Sequence, residues 1–233
     1  GAMCRDDASD IFNYCLNFYQ KISKKSDWNG FNVLQTFSGR VGALDIGFYN
    51  KKNISRSLIK QIYDGKFKVL YLMSADEINF DKIPKKTFVI YQGHHGDKAV
   101  KRADLIVPMS CFTEKEGIYV NLEGRPQISN QVKFPVEGVN HSWEFFNKLS
   151  KLFNLEVFSS LNELREKMFL NHEHLSYINQ IESSKINKIK HSKPKFSNQE
   201  IKSNISNFYM TDSVSRNSEI MSKCSLAFMK ETK

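Results

Sequence analysis

FKVLYLM (67–73), TFVIYQGHHGD (87–97) and LIVP (105–108) are the stretches on which the fold turns. Within them, residues 67–73, 87–91 and 105–107 are short, continuous apolar runs rather than alternating ones, the pattern of strands covered on both faces of a parallel sheet. The connectors carry Pro84, Gly93 and Gly96 and leave room for short crossover helices such as residues 97–102. This is an α/β pattern: a short, mainly parallel sheet, doubly wound, with helices over its faces.

Upstream, Ser9 and Asp10 are capping residues for a helix carrying Ile11, Tyr14, Cys15, Phe18 and Ile22 at three- to four-residue spacing. A polar break over residues 21–27 precedes a second helical pattern through Phe31, Leu34, Phe37, Val41 and Leu44. Gly39, Gly42 and Gly47 interrupt it, which implies close packing or an early end. Residues 55–63 read as a third short helix stopped by Asp64-Gly65.

Downstream, Ile118, Val120 and Leu122 alternate with Tyr119 and Asn121, and Glu123-Gly124 supplies a turn, so a hairpin is expected there. Trp143, Phe146, Leu149 and Phe153 mark a helix, and residues 161–169 another. Residues 183–199 are polar and basic and read as a linker or mobile loop. Thr211-Asp212-Ser213 then opens a final helix with Val214, Met221, Cys224 and Phe228 on one face.

The 233 residues suffice for one sizeable domain with appendages or two small ones. Gly1-Ala2-Met3 reads as a protease-cleavage scar, and Cys4 follows it in mid-protein style, so a fragment of a longer chain is expected. Cys4, Cys15, Cys111 and Cys224 form no CxxC pair, which excludes zinc-ribbon and iron–sulfur spacings and favours reduced thiols in a cytosolic setting. No run approaches the roughly 18–20 apolar residues of a membrane span, so a soluble chain without direct membrane insertion is expected. The net charge of +9 admits anionic partners, but it is scattered lysine rather than the clustered Arg and aromatics of a nucleic-acid site. No nucleic acid is expected as a partner.

Gln92 to Asp97 leave the end of a predicted parallel strand, where open α/β sheets line their ligand crevice. The two glycines allow close backbone approach, and His94, His95 and Asp97 are metal- or phosphate-capable. Adjacent histidines rarely share an ion, and the GxxG spacing is neither a dinucleotide fingerprint nor a P-loop, so a turn is the simpler reading. Glu114, Glu116 and Glu123 lie close together without a nucleophile beside them, and Arg125 is placed to pair with one of them. No GxSxG or HExxH pattern is present.

Two longer motifs carry a resemblance. FVIYQGHHGD (88–97), continued by RADLIVP (102–108) and TEKEGIYVNLEGR (113–125), and NFYMTDSVSRNSEIMSKC (207–224) resemble the C-terminal part of the large, 75 kDa-type iron–sulfur subunits of NADH:quinone oxidoreductase, respiratory complex I. Residues 28–48, with ALDIG at 43–47, are a weaker match in the same order. Met109-Ser110 after Pro108, and Leu122, depart mildly from that pattern, and residues 183–199 match little.

These subunits descend from the molybdopterin oxidoreductases. The resemblance therefore implies a molybdopterin-type α/β domain over residues 4–182 that carries no molybdenum cofactor, a basic linker over 183–204, and a C-terminal motif and helix over 205–233. It implies [4Fe-4S] and [2Fe-2S] clusters in the cysteine-rich N-terminal part of the whole subunit and none in this stretch. It implies no catalytic or metal residue here, but a vestigial strand-end site of Gly93, His94, His95, Gly96, Asp97, Asn121 and Arg125. Tyr209, Asp212 and Arg216 are the expected interaction residues. The implied role is a scaffold among the peripheral-arm subunits, including the flavin-bearing NADH-binding one, peripheral on the cytoplasmic face of a bacterial inner membrane or the matrix side in mitochondria. The alternative is a pterin-binding domain of an active molybdopterin-dependent oxidoreductase, with Gln92–Asp97, Asn121 and Arg125 near the pterin.

Overall fold

The three apolar runs form strands β1 (Val69–Met73), β2 (Phe88–Gly93) and β3 (Leu105–Pro108), hydrogen-bonded in the order β1-β2-β3 and all parallel. The computed structural model describes residues 1–2, 5–23, 30–49, 55–182, 194–203 and 205–229. Leu72 lies opposite Tyr91, and Tyr91 opposite Ile106. The crossovers are tighter than expected. They use 3-10 turns, Phe80–Lys82 and Lys98–Lys101, where a short helix was anticipated over 97–102.

One face of the sheet holds the core. Leu72, Val89 and Tyr91 pack with Phe80, Ile83 and Ala99 from the crossovers and with Ile62 of α3 (Ser55–Tyr63). Gly65, at φ +69°, takes the left-handed conformation that stops α3, and its N–H meets the Ile62 carbonyl at 3.0 Å. The opposite face meets α4 (Ser142–Leu152), where the Phe146 ring lies 5.7 Å from that of Tyr71.

Burial on both faces, expected of all three runs, holds best along β2; Val69, Leu105 and Ile106 are exposed. The reason is sheet width. With three strands, β1 and β3 are both edges, and the short crossovers offer little helical cover. Arg102 and Asp104 tie the crossovers to the sheet. Arg102 donates to the carbonyls of Pro84 and Thr87 at 2.9 and 2.8 Å, and Asp104 accepts the Val89 N–H at 2.8 Å.

The hairpin forms as β4 (Gly117–Val120) and β5 (Pro126–Ser129), antiparallel. α5 (Leu161–Asn171) follows, capped by Ser160 and tied to α4 through Asn147, which exchanges two hydrogen bonds with the Phe158 backbone at 2.6 and 2.7 Å.

Three expectations about helices change. α1 (Ala8–Ile22) begins slightly earlier than its predicted caps, with Asp7 as N-cap, and buries Leu16; Tyr14, Cys15, Phe18 and Ile22 of the predicted apolar face stay exposed. Phe12 and Tyr19 instead meet Phe31, with ring centroids 5.4 and 6.0 Å apart. The second pattern shrinks to α2 (Arg40–Asp45), where Gly42 packs 3.5 Å from the Val120 side chain, the close approach its glycines implied. The final helix is two pieces, α6 (Ser213–Arg216) and α7 (Glu219–Phe228). Ser218 breaks them apart by accepting the Met221 N–H as a new N-cap.

Part of the basic segment falls at 183–193, outside the described residues. Residues 194–203 have no helix or strand yet are held against the first helix: Arg5 and Ser197 converge on Asp7, at 2.7 and 2.6 Å, and Phe196 packs edge-on to Tyr14. The Arg5 guanidinium and the Ser197 N–H hold the Asp7 carboxyl well below the usual carboxylate range.

No helix among the described residues is long and apolar enough to cross a membrane. Leu34, Val132, Phe134, Leu152, Leu170 and Leu226 are among the apolar side chains left largely open. A small core makes single core residues matter. Leu72→Ala, at a site 5% exposed, is expected to cost about 2–5 kcal/mol. Leu170→Ala, at a site 82% exposed, should change stability by less than about 0.5 kcal/mol. Urea unfolding of the two variants checks both.

Candidate functional site

The exits of β1 and β2 bring Asp76 and Asp97 to the carboxyl end of the sheet. The ladder continues briefly beyond the strands: the Ser74 N–H meets the Gln92 carbonyl at 2.8 Å, and the Met109 N–H meets the Gly93 carbonyl at 3.1 Å. The crevice of an open α/β sheet lies here.

The C-terminal segment closes it. Asp212 caps α6, accepting the N–H groups of Val214 and Ser215 at 2.8 and 2.9 Å, while its own N–H meets the Ser215 hydroxyl at 3.0 Å. That cap starts one helical turn, and Arg216 stands at the end of it. The Arg216 Nε donates to Asp97 Oδ2 at 2.5 Å, and its Nη2 pairs with Asp76 Oδ2. The side chains of Arg216, Asp97 and Asp76 are 13%, 13% and 8% exposed.

Two carboxylates on one guanidinium in a shielded place do not titrate alike. For Asp97, burial raises the carboxyl, but the Arg216 bond and the Lys98 N–H outweigh it, and the group lies below its ordinary value. For Asp76, burial dominates over Arg216, Asp97 adds to it, and the group lies above its ordinary value. Burial and the neighbouring Asp76 also raise Glu77. The strand end is acidic.

The predicted site residues divide into two groups. Gly93 to Asp97 stay at the strand end. Gly93 admits no side chain, because the Tyr91 ring already covers the space a Cβ would take. His94 and His95 meet through their Nδ1 atoms at 2.6 Å, so one ring donates and the other accepts. Burial, then His95 and Lys115, lower the His94 imidazole. Gln92, fully buried, accepts from the Tyr71 hydroxyl at 3.1 Å. Asn121 and Arg125, by contrast, belong to the hairpin. Asn121 Oδ1 accepts the N–H groups of Glu123 and Arg125 at 2.9 and 3.0 Å, and Arg125 donates to the Asn179 carbonyl at 2.6 Å. Their hydrogen bonds organise the turn rather than the crevice.

The neighbouring carboxylates are likewise structural: Glu114 accepts the Cys111 N–H at 2.9 Å, Glu116 pairs with Arg165 at 3.5 Å, and Glu123 lies 4.0 Å from Arg125. Of the expected interaction residues, Asp212 and Arg216 work inside the chain, and Tyr209 stacks on Phe228 with centroids 6.1 Å apart. Asp76 was missed. Its signal was positional, an acidic residue just past a parallel strand, at the same end as Asp97.

A pterin with its phosphate needs donors and positive charge at the strand ends. The residues here do not fit it. Arg216, the cation at the strand end, is committed to two carboxyl groups, and Glu77 adds a third acid nearby.

This α/β arrangement has a known lineage: the molybdopterin oxidoreductase family matches residues 1–152. The chain belongs to the molybdopterin oxidoreductase family. A second family, the C-terminal part of the NADH-ubiquinone oxidoreductase G-subunit, matches residues 179–224. That match runs through the basic stretch and ends within α7, so it contains both Asp212 and Arg216. The chain is 36% identical over 226 residues to the NADH-quinone oxidoreductase G-subunit of Rickettsia conorii, covering 96% of this chain and 32% of that protein. It is also 36% identical over 226 residues to the NADH-ubiquinone oxidoreductase 75 kDa subunit of Reclinomonas americana, covering 95% of this chain and 32% of that one. Against the mitochondrial NADH dehydrogenase [ubiquinone] iron-sulfur protein 1 of Solanum tuberosum it is 36% identical over 234 residues, covering 99% of this chain and 31% of the other. The chain thus spans about a third of the length of the curated relatives it matches.

Removing Arg216 leaves two buried acids without their cation. Arg216→Ala is expected to destabilise the chain by about 3–5 kcal/mol. Arg216→Lys should recover only part of this, because an ammonium cannot serve two carboxylates through a fixed fork. Thermal unfolding of the three proteins at pH 7 makes the comparison.

Proposed function

We propose that this chain is the C-terminal scaffold of the large iron–sulfur subunit of an NADH:quinone oxidoreductase. The observation that carries the reading is the Arg216 clasp. The crevice in which a molybdopterin enzyme would hold its cofactor is closed by the chain's own C-terminal motif, and that motif lies within the match to the G-subunit family. In this reading the domain binds no cluster and no pterin. The whole subunit carries [4Fe-4S] and [2Fe-2S] clusters in its other part and passes electrons from NADH, through flavin and clusters, toward quinone.

The surface supports the same role. Val132, Phe134, Leu152 and Leu226 lie open, as apolar side chains that meet a partner do. Its proposed neighbours are the peripheral-arm subunits, the flavin-bearing NADH-binding subunit among them. Its place is peripheral, on the cytoplasmic face of a bacterial inner membrane or the matrix side in mitochondria. An active molybdopterin oxidoreductase is disfavoured by the acidic, filled strand end.

Elemental analysis of the purified chain separates the two readings: less than about 0.1 equivalent of molybdenum is expected after expression in a molybdate-supplied host, and stoichiometric metal overturns the scaffold reading. For the scaffold itself, Ile220→Glu with Leu226→Glu charges the open side of α7 without touching the clasp. The doubly substituted subunit should co-purify at least about tenfold less well with the other peripheral-arm subunits, as expected when charges enter an apolar contact. Undiminished co-purification would remove α7 as a docking element.

A further inference from the structure

We infer that Asp76 and Asp97 share one proton across Arg216, so that the C-terminal segment is held shut by a proton-linked clasp at the carboxyl end of the sheet. Such a clasp lies wholly within this chain and is independent of the complex I reading.

The geometry sets the problem. One guanidinium faces two carboxyl groups: Nε binds Asp97 at 2.5 Å, and Nη2 binds Asp76. All three side chains are largely shielded from water. With both acids ionised, the cluster carries one uncompensated negative charge in a place that solvates it poorly. The surroundings do not neutralise it. Glu77 is a further acid beside Asp76, Tyr91 contributes a neutral phenol, and Lys98 is the added cation that acts on Glu77. Like charges this close do not both ionise easily; one proton between them removes the repulsion and lets the second carboxyl hydrogen-bond to the first. Asp76 is the more enclosed of the two and is the natural holder.

The direction of the pH effect follows. Asp76 lies above its ordinary value when the clasp is closed, so its proton favours closure at low pH, and that contribution is lost as pH rises through the closed-state value. Asp97 lies below its ordinary value, so its contribution is lost in the other direction, as pH falls through its own closed-state value. The clasp is tightest between the two. Release frees Arg216, and with it the segment from Asn207 to α7, from the strand end; Asp212 still caps α6 locally.

Carboxyl carbon-13 NMR of the 233-residue chain, titrated from pH 3 to 9, tests this directly, with hydrogen exchange of residues 207–229 followed over the same range. Asp76 is expected to titrate above the ordinary aspartate value of about 3.9, and Asp97 below it. Exchange of residues 207–229 should quicken at least about tenfold as Asp76 loses its proton, more than the intrinsic pH dependence of amide exchange accounts for. Asp76→Asn, a permanent stand-in for the neutral acid, should abolish that extra acceleration. Asp97→Asn should lower the proton affinity of Asp76 by about tenfold. Asp76 titrating at or below the ordinary value, or exchange that follows the intrinsic pH dependence alone, overturns the proposal. Should the Asn variants unfold, the wild-type titration and exchange decide it alone.

Discussion

The guanidinium of Arg216, held between Asp76 and Asp97, is the contact on which the rest of this structure depends. It joins three places far apart in the chain: the exit of β1, the exit of β2, and the end of a single capped turn near the C-terminus. A buried pair of acids needs a cation, a shared proton or both, and Arg can present two donors to them in a fixed plane. Each neighbouring feature serves that placement. Asp212 starts the turn, Ser218 ends the straight run beyond it, and Tyr91 seals the glycine that would otherwise open the strand end.

At the carboxyl end of this molybdopterin-type sheet sits the chain's own Arg216. The carboxyl ends of the strands remain the place where the fold brings polar groups together, as the topology requires. What differs is the charge. A cofactor-binding end gathers N–H donors and cations for a phosphate; here the end gathers acids, and the cation is spent on them. Of the motif that looks like a ligand loop, Gln92 to Asp97, it is Asp97 that binds the chain's own C-terminal segment, through Arg216.

The apolar surface makes the complementary point. The sheet is narrow, its crossovers are short, and its core draws on one face, so among the described residues many apolar side chains on α1, α4, α5, α7 and the segment after β5 stay exposed. The relatives it matches are about three times as long as the chain. The fold draws its order from strands, caps and turns more than from a large apolar core.

Much of this was legible in the amino-acid order. The three strands, their parallel sense, the Gly65 stop, the hairpin and the Asp212 cap all follow from local rules: continuous apolar runs, turn residues and capping side chains act over a few positions. The motifs also pointed to the two ends of the clasp, Asp97 and Arg216, as separate features. What sequence could not supply was their meeting, nor the presence of Asp76 between them, because nothing local records which residues a topology places side by side. The exposed face of α1 and the split of the final helix have the same origin: periodicity shows that a face is apolar, not whether anything covers it. Local chemistry wrote the elements, whereas the charge balance at the sheet's end arose only when parallel strand exits and a distant Arg shared one shielded space.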